Sequence, residues 1–161
     1  MKSPFSFSWG KPKVVTAPPK YQEIPPGDTL TQLNSYSESV LNLLRKSQGA
    51  SANYDGAAVK RLSDDINAAR SQYGVDAKIK IANLYGCFLG TSIIKSYPDF
   101  QGRWVQSDEG IGVLLSSAPG AITKIAFPIT RAFKQIDHGE EYSIFSYFMA
   151  IPEFFSSQPK A

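Results

Sequence analysis

The sequence predicts a segregated α+β fold: three N-terminal helices, a small antiparallel sheet of two or three strands, and two C-terminal helices. Three observations carry this. Apolar residues recur at helical spacing in three segments before residue 97. The pattern changes to period two after Pro98 and returns to helical spacing at Pro128. Hydrophobic residues make up 42% and aromatic residues 12% of the 161 residues, enough to build a core.

The chain opens with a proline-rich stretch, residues 1–28. It holds Pro4, Pro12, Pro18, Pro19, Pro25 and Pro26, six of the eleven prolines. Proline fixes φ and lacks a backbone donor, so this stretch is expected as an extended arm, neither helix nor interior strand. The first helix is expected after Pro25-Pro26-Gly27, with Thr29 and Gln32 as a capping box. Leu30, Leu33, Val40, Leu41 and Leu44 form its stripe, and Gly49 ends it. The second helix is expected to start at Asp55 as N-cap, with Tyr54 stapled to Val59. Val59, Leu62, Ile66, Ala69 and Tyr73 line its inner face, and Gly74 is expected to stop it.

The third helix, Asp76 to about Ser96, is apolar over most of its circumference and is therefore expected at the centre. Ala82, Gly86 and Gly90 repeat every four residues. A glycine inside a helix costs about 1 kcal/mol against alanine, which a close backbone approach would have to offset. Cys87 sits in the same run and is expected to be an inert core thiol. Arg103–Gln106 and Ile111–Leu115 flank Ser107-Asp108-Glu109-Gly110, a hairpin pattern, and Ile122–Phe127 reads as a third extended segment. Pro128 suits the first position of a fourth helix, with Ile129, Ala132, Phe133 and Ile136 inward and Gly139 at its end. Residues 140–151 form the last helix, with Ile144, Phe148 and Ile151 inward, stopped by Pro152. The domain is thus expected over 29–155, followed by a short tail, 156–161.

Residues 54–152 resemble a bacterial family of small cytoplasmic domains of unknown function. The resemblance rests on Tyr54-Asp55 with Val59, Leu62, Asp65 and Ile66, and on Leu84-Tyr85-Gly86-Cys87-Phe88-Leu89-Gly90. It continues through Gly102-Arg103-Trp104-Val105, Phe127-Pro128 and His138-Gly139-Glu140-Glu141-Tyr142-Ser143-Ile144. One Gln-Gly, Gln101-Gly102, stands where the family pattern has Gly-Gly. The resemblance implies an α+β fold and a bacterial cytoplasmic setting, and brings no catalytic residues.

Composition narrows the chemistry. One Cys excludes an internal disulfide framework and a Cys-based zinc site, and one His excludes a two-His metal motif. The net charge of +3 gives no argument for nucleic acid, and +2 of it falls within residues 1–28. Residues 1–15 lack the apolar run of about 7–15 residues of a signal peptide. The most apolar stretch, 79–94, contains Lys80 and Asn83 and is shorter than a membrane span of about 18 residues. A cytoplasmic protein is expected. P-loop, GxGxxG, HExxH and GxSxG patterns are absent. His138, beside Asp137, Glu140 and Glu141, is expected to cap a helix C-terminus. No catalytic, cofactor or metal site is expected; the enzymatic alternative is a small hydrolase or transferase using His138 with Glu140 or Glu141.

The leading expectation is a non-catalytic protein-interaction domain. Phe5, Phe7 and Trp9 alternate, which fits packing on their own domain or docking on a partner. Pro18-Pro19-Lys20-Tyr21 matches a PPxY pattern, which adds Tyr21. Asp108 and Glu109 form an exposed hairpin tip. Helical spacing turns Phe145 and Tyr147 away from the Ile144/Phe148/Ile151 stripe, and Phe154 and Phe155 follow. The partner would be another protein, for example a toxin blocked by an immunity protein, or a component of a secretion or phage-like machine.

Overall fold

The computed structural model describes residues 20–117 and 123–156, the last two by backbone alone. Its element order is β1 (Tyr21–Glu23), α1 (Asp28–Gln48), α2 (Gly56–Ala69), α3 (Val75–Ser96), β2 (Arg103–Ser107), β3 (Gly110–Ser116), β4 (Thr123–Ala126), α4 (Pro128–His138), α5 (Ile144–Ala150) and α6 (Glu153–Ser156). The α+β class is as expected. The sheet has four antiparallel strands in the order β1-β2-β3-β4, where two or three were expected. The additional strand is β1, drawn from the stretch assigned to the arm. Tyr21 pairs with Ser107 and Glu23 with Val105, and Ile24 donates its N–H to the Trp104 carbonyl at 3.1 Å. An edge position tolerates the nearby prolines, because only one side of the strand must donate to a neighbour.

α1 starts at Asp28, directly after Pro25-Pro26-Gly27 as expected. Gly27 is its N-cap, so Thr29 lies inside the first turn and the expected capping box does not form; Gln32 instead donates to the Tyr36 hydroxyl at 2.7 Å. α2 starts as expected: the Asp55 carboxylate accepts from the Ala58 N–H at 3.0 Å. Tyr54 lays its ring on Phe88, 4.9 Å between centroids. The helix ends at Ala69 and tightens into a 3-10 turn, Arg70–Gln72, so Gly74 serves as the N-cap of α3 rather than the end of α2.

α3 is the centre of the molecule. Gly86 through Ile93 are all buried. Its glycines do meet other chain segments closely. A Cβ on Gly86 would stand 2.4 Å from the Cα of Ile129, and one on Gly90 would stand 2.2 Å from the Trp104 ring. α4 and the indole of β2 therefore seat directly on the α3 backbone. On the other side, Ser37 of α1 bonds to the Cys87 carbonyl at 2.9 Å and to the Thr91 hydroxyl at 2.7 Å.

The β2–β3 hairpin turns through Asp108 and Glu109, with Ser107 opposite Gly110. Trp104, Val113 and Leu115 join the main core, whereas Val105 and Leu114 are buried apart from it. Alternation along the strands puts that pair on the opposite face. Both faces of the hairpin are therefore covered, which accounts for the unbroken apolar run Val113-Leu114-Leu115.

Candidate functional site

The C-terminal helices are tied to α2 by a buried amide. Gln135, fully buried on α4, donates to the Ser63 carbonyl at 3.0 Å, to the Ser63 hydroxyl at 2.9 Å and to Asn67 Oδ1 at 3.0 Å. Its Oε1 accepts the N–H of Ile144 at 2.8 Å. Ser63 and Ser143 share a hydrogen bond at 3.0 Å, and Ser143 caps α5 by accepting from the Ser146 N–H. A buried polar group is stable only when its partners are present, and here one side chain satisfies four.

The end of α4 is capped from a distance. Arg70 donates to the Ile136 carbonyl at 3.0 Å and to the Asp137 carbonyl at 2.8 Å. His138 stands in the last turn of α4, as expected, where a basic side chain suits the helix dipole. The side-chain hydrogen bonds to the last carbonyls come from Arg70, whose planar fork reaches two carbonyls at once. Gly139 then turns the chain at φ +94, a conformation L side chains rarely adopt, into a 3-10 turn, Glu140–Tyr142.

This reversal lays Tyr142 across a basic stripe of α4. The Arg131 guanidinium carbon is 5.2 Å, the Lys134 ammonium 5.4 Å and the His138 ring 5.3 Å from the centre of the Tyr142 ring. Positions 131, 134 and 138 share one helix face, so all three project to the same side. Arg131 also lies 5.1 Å from the centre of the Tyr147 ring. Burial works against the Arg131 charge and lowers its pKa, and the two tyrosines partly offset this. Lys134 is lowered too, by burial first and then by Arg131. The Arg131 Nε is buried without a hydrogen-bond partner.

Two of the three acids around His138 are engaged by other residues. Asp137 pairs with Lys78 at 3.2 Å, and Glu140 accepts from Asn67. Among the described residues, no group of three or more His, Cys, Asp or Glu side chains is placed to hold a metal ion. The Cys87 thiol is buried and pushed up to about 12 by desolvation. A groove of about 280 Å³ between the sheet edge, α1 and α3 is lined by Ile24, Leu30, Asn34, Ile94, Arg103 and Trp104, among others. It was not anticipated, because its walls come from four separate parts of the chain.

The expected partner-binding residues separate into groups. Phe5, Phe7, Trp9, Pro18 and Pro19 lie outside the described residues, as does the side chain of Phe155. Tyr21 is exposed on edge strand β1, and Asp108 and Glu109 are exposed at the hairpin tip. Phe145 is half-buried, with the Lys60 ammonium 5.8 Å from its ring centre. Phe154 packs on Tyr147 with 5.7 Å between centroids. Tyr147 is a correction: it is only 5% exposed. It lies one turn after Ile144, and its hydroxyl accepts the Phe127 N–H at 3.2 Å, which anchors α5 to the start of α4. Burial pushes its pKa up to about 12. Besides Tyr21, exposed large apolar side chains among the described residues lie at positions not anticipated: Leu43 on α1, Val75 and Ile79, one turn apart on α3, and Met149, one turn beyond Phe145 on α5.

Among the described residues, no helix is long and apolar enough to cross a membrane. In comparisons with protein-family models, curated proteins and solved structures, nothing matches this chain.

Proposed function

We propose that this chain is a non-catalytic cytoplasmic protein-interaction domain. The observation that carries the reading is apolar surface at helical spacing. Val75 is 75% exposed and Ile79 46%, on one face of the first two turns of α3. Met149, 54% exposed, extends the half-buried Phe145 by one turn on α5. Side chains of this kind, rimmed by polar residues, are the usual anchors of a protein interface. The family resemblance over residues 54–152 adds a bacterial setting. Blocking a toxin as an immunity protein is one form of this function, with the exposed acidic tip Asp108-Glu109 as the segment to enter a basic site. Service as an accessory subunit of a secretion or phage-like machine is another.

The test is affinity capture from the native host with wild-type protein, a Val75→Ser/Ile79→Ser variant and a Met149→Gln variant. A stoichiometric partner retained by wild type and lost from either variant is the expected result. No such partner, or equal capture by all three, would overturn the reading.

A further inference from the structure

The outer face of the sheet is buried, yet the elements packed on the sheet belong to its other face. Side chains alternate along the strands, so Val105, Leu114 and Ile125 lie on the face turned away from α3. Phe127 joins them: a Cβ on Gly112 of that face would stand 3.2 Å from its ring and 2.5 Å from Ile125. Within this single chain Val105 is 0% and Leu114 1% exposed. The helices that meet β3 are α3 and α4, and their residues cluster with Trp104, Val113 and Leu115, a cluster that leaves out Val105 and Leu114. Phe154 of α6 packs on Tyr147 of that same cluster. Neighbours within the outer face do not close it either. Ile125 and Phe127 lean in from the β4 side and are themselves half-buried. On the β1 side stand Tyr21 and the Glu23–Arg103 pair, all exposed. Side chains stand out of the pleat, so an uncovered face keeps their tips in water, and Val105 and Leu114 need a roof above them.

We propose that residues 1–19 of this chain supply the roof, with Phe5, Phe7 and Trp9 seated over Val105 and Leu114. Three segments lie outside the described residues: 1–19, 118–122 and 157–161. The last, Ser-Gln-Pro-Lys-Ala, holds no large apolar side chain, and 118–122 holds only Ile122. Residues 1–19 hold two phenylalanines and a tryptophan at the spacing of two that puts alternate side chains of an extended segment on one side. They also reach. Lys20 leads into edge strand β1, and its carbonyl accepts the Asp108 N–H at 3.3 Å. The residues between Trp9 and Lys20, 10–19, span about 33–36 Å when extended. Four strands about 4.8 Å apart measure about 14 Å across, well within that length. The aromatics are then anchors within the chain and not anchors for a partner. This inference does not rest on the proposed function, since the exposed patches on α3 and α5 are formed by other residues.

The experiment is NMR of the full chain with ¹³C-labelled Val and Leu methyl groups. Nuclear Overhauser contacts from the ring protons of Phe5, Phe7 or Trp9 to the methyls of Val105 and Leu114 are the expected result. In a Phe5→Ser/Phe7→Ser/Trp9→Ser variant those two residues' methyl signals should shift, while the methyl signals of Val113, on the core face, keep their positions. A mixed sample separates contacts within a chain from contacts between copies: one copy is deuterated except at its Val and Leu methyls, the other fully protonated. The contacts should be absent there; their persistence would assign the roof to the arm of a second copy and overturn the contact within one chain. Wild-type protein with no ring contact to either residue, or a variant with unmoved Val105 and Leu114 signals, would overturn the proposal. If the variant does not fold, the wild-type and mixed samples decide alone.

Discussion

Replacing Gly86 or Gly90 with alanine sets two physical effects against each other. Helix propensity alone predicts that each change stabilises the protein by about 1 kcal/mol. The packing predicts the reverse. At Gly86 the new methyl carbon would lie 2.4 Å from Ile129 Cα, 2.8 Å from its Cγ1 and 3.0 Å from its backbone nitrogen. Ordinary carbon contacts lie near 3.5–4.0 Å, so α4 must retreat by roughly 1 Å. That retreat would pull on Pro128, the Gln135 bonds and the Arg70 cap together. Overpacking typically costs about 1–3 kcal/mol and occasionally more, and a backbone obstacle puts Gly86→Ala at the upper end. Net of the propensity gain, the expected loss is about 2 kcal/mol. At Gly90 the obstacle is a side chain, the Trp104 ring at 2.2 and 2.6 Å, with Pro128 at 3.1 Å. The indole is nearly buried and its strand is paired on both sides, so it yields only at a cost. The expected net loss there is about 1 kcal/mol. Urea unfolding followed by circular dichroism measures both, and each midpoint should fall with the slope unchanged. A midpoint that stays put or rises in Gly86→Ala would show that α4 does not seat on the α3 backbone.

Three further outcomes follow from the buried groups. Gln135→Leu leaves the Ile144 N–H without its acceptor and Ser63 and Asn67 without their donor; an orphaned buried polar group costs about 1–3 kcal/mol, so the unfolding free energy should drop by at least about 2 kcal/mol, and a loss below about 0.5 kcal/mol would contradict the network. Stability should also fall as pH rises above about 9. The ordinary values are 9.0 for Cys87 and 10.0 for Tyr147, and the fold raises both to about 12. The unfolded chain therefore gives up these protons first, and the native state binds more protons between the two values. Their stabilisation is complete below the unfolded values and lost on the way to about 12, by up to about 1.4 kcal/mol per pH unit per group. Urea midpoints measured across that range should decline, less so in Tyr147→Phe; a flat profile would count against the burial of both groups. Finally, a thiol reagent should label Cys87 only as fast as the protein unfolds, so rapid labelling of the native state would disprove an inert core thiol.

What the sequence made legible was local. The stripes of α1 and α2, the Asp55 cap, the start of α4 at Pro128 and the glycine groove of α3 each depend on residues within a turn or two of one another. Strand β1 was not legible, because its hydrogen-bond partners lie some 80 residues away and Pro25-Pro26 made the segment read as arm. Tyr147 was misplaced for a different reason. The Ile144/Phe148/Ile151 stripe left it outside on a helical wheel, yet α5 is seven residues long and packs against α2, α3 and α4, so two of its flanks are covered. Gln135 carried no signal at all: a polar residue on an otherwise charged helix looks solvated until Ser63 and Ile144 are brought to it. Three of the four residues in the basic cluster could have been read. Arg131, Lys134 and His138 stand at helical spacing in the sequence, whereas the position of Tyr142 depends on a chain reversal.

That reversal links fold and site. Tyr142 reaches the basic stripe because Gly139 takes φ +94, which a residue with a side chain would adopt only under strain. The same turn delivers Ile144 to the Oε1 of Gln135, four residues beyond Arg131 on α4. The Gln135–Ile144 bond thus fixes the far end of the segment whose near end is Gly139, and Tyr142 lies between the two. A change at Gln135 must therefore disturb the ring that gathers the three basic side chains. A change at Lys134 removes one charge at the rim and leaves the amide network intact. The two changes differ because the bonds that place the ring are internal, whereas Lys134 touches the ring from outside the amide network.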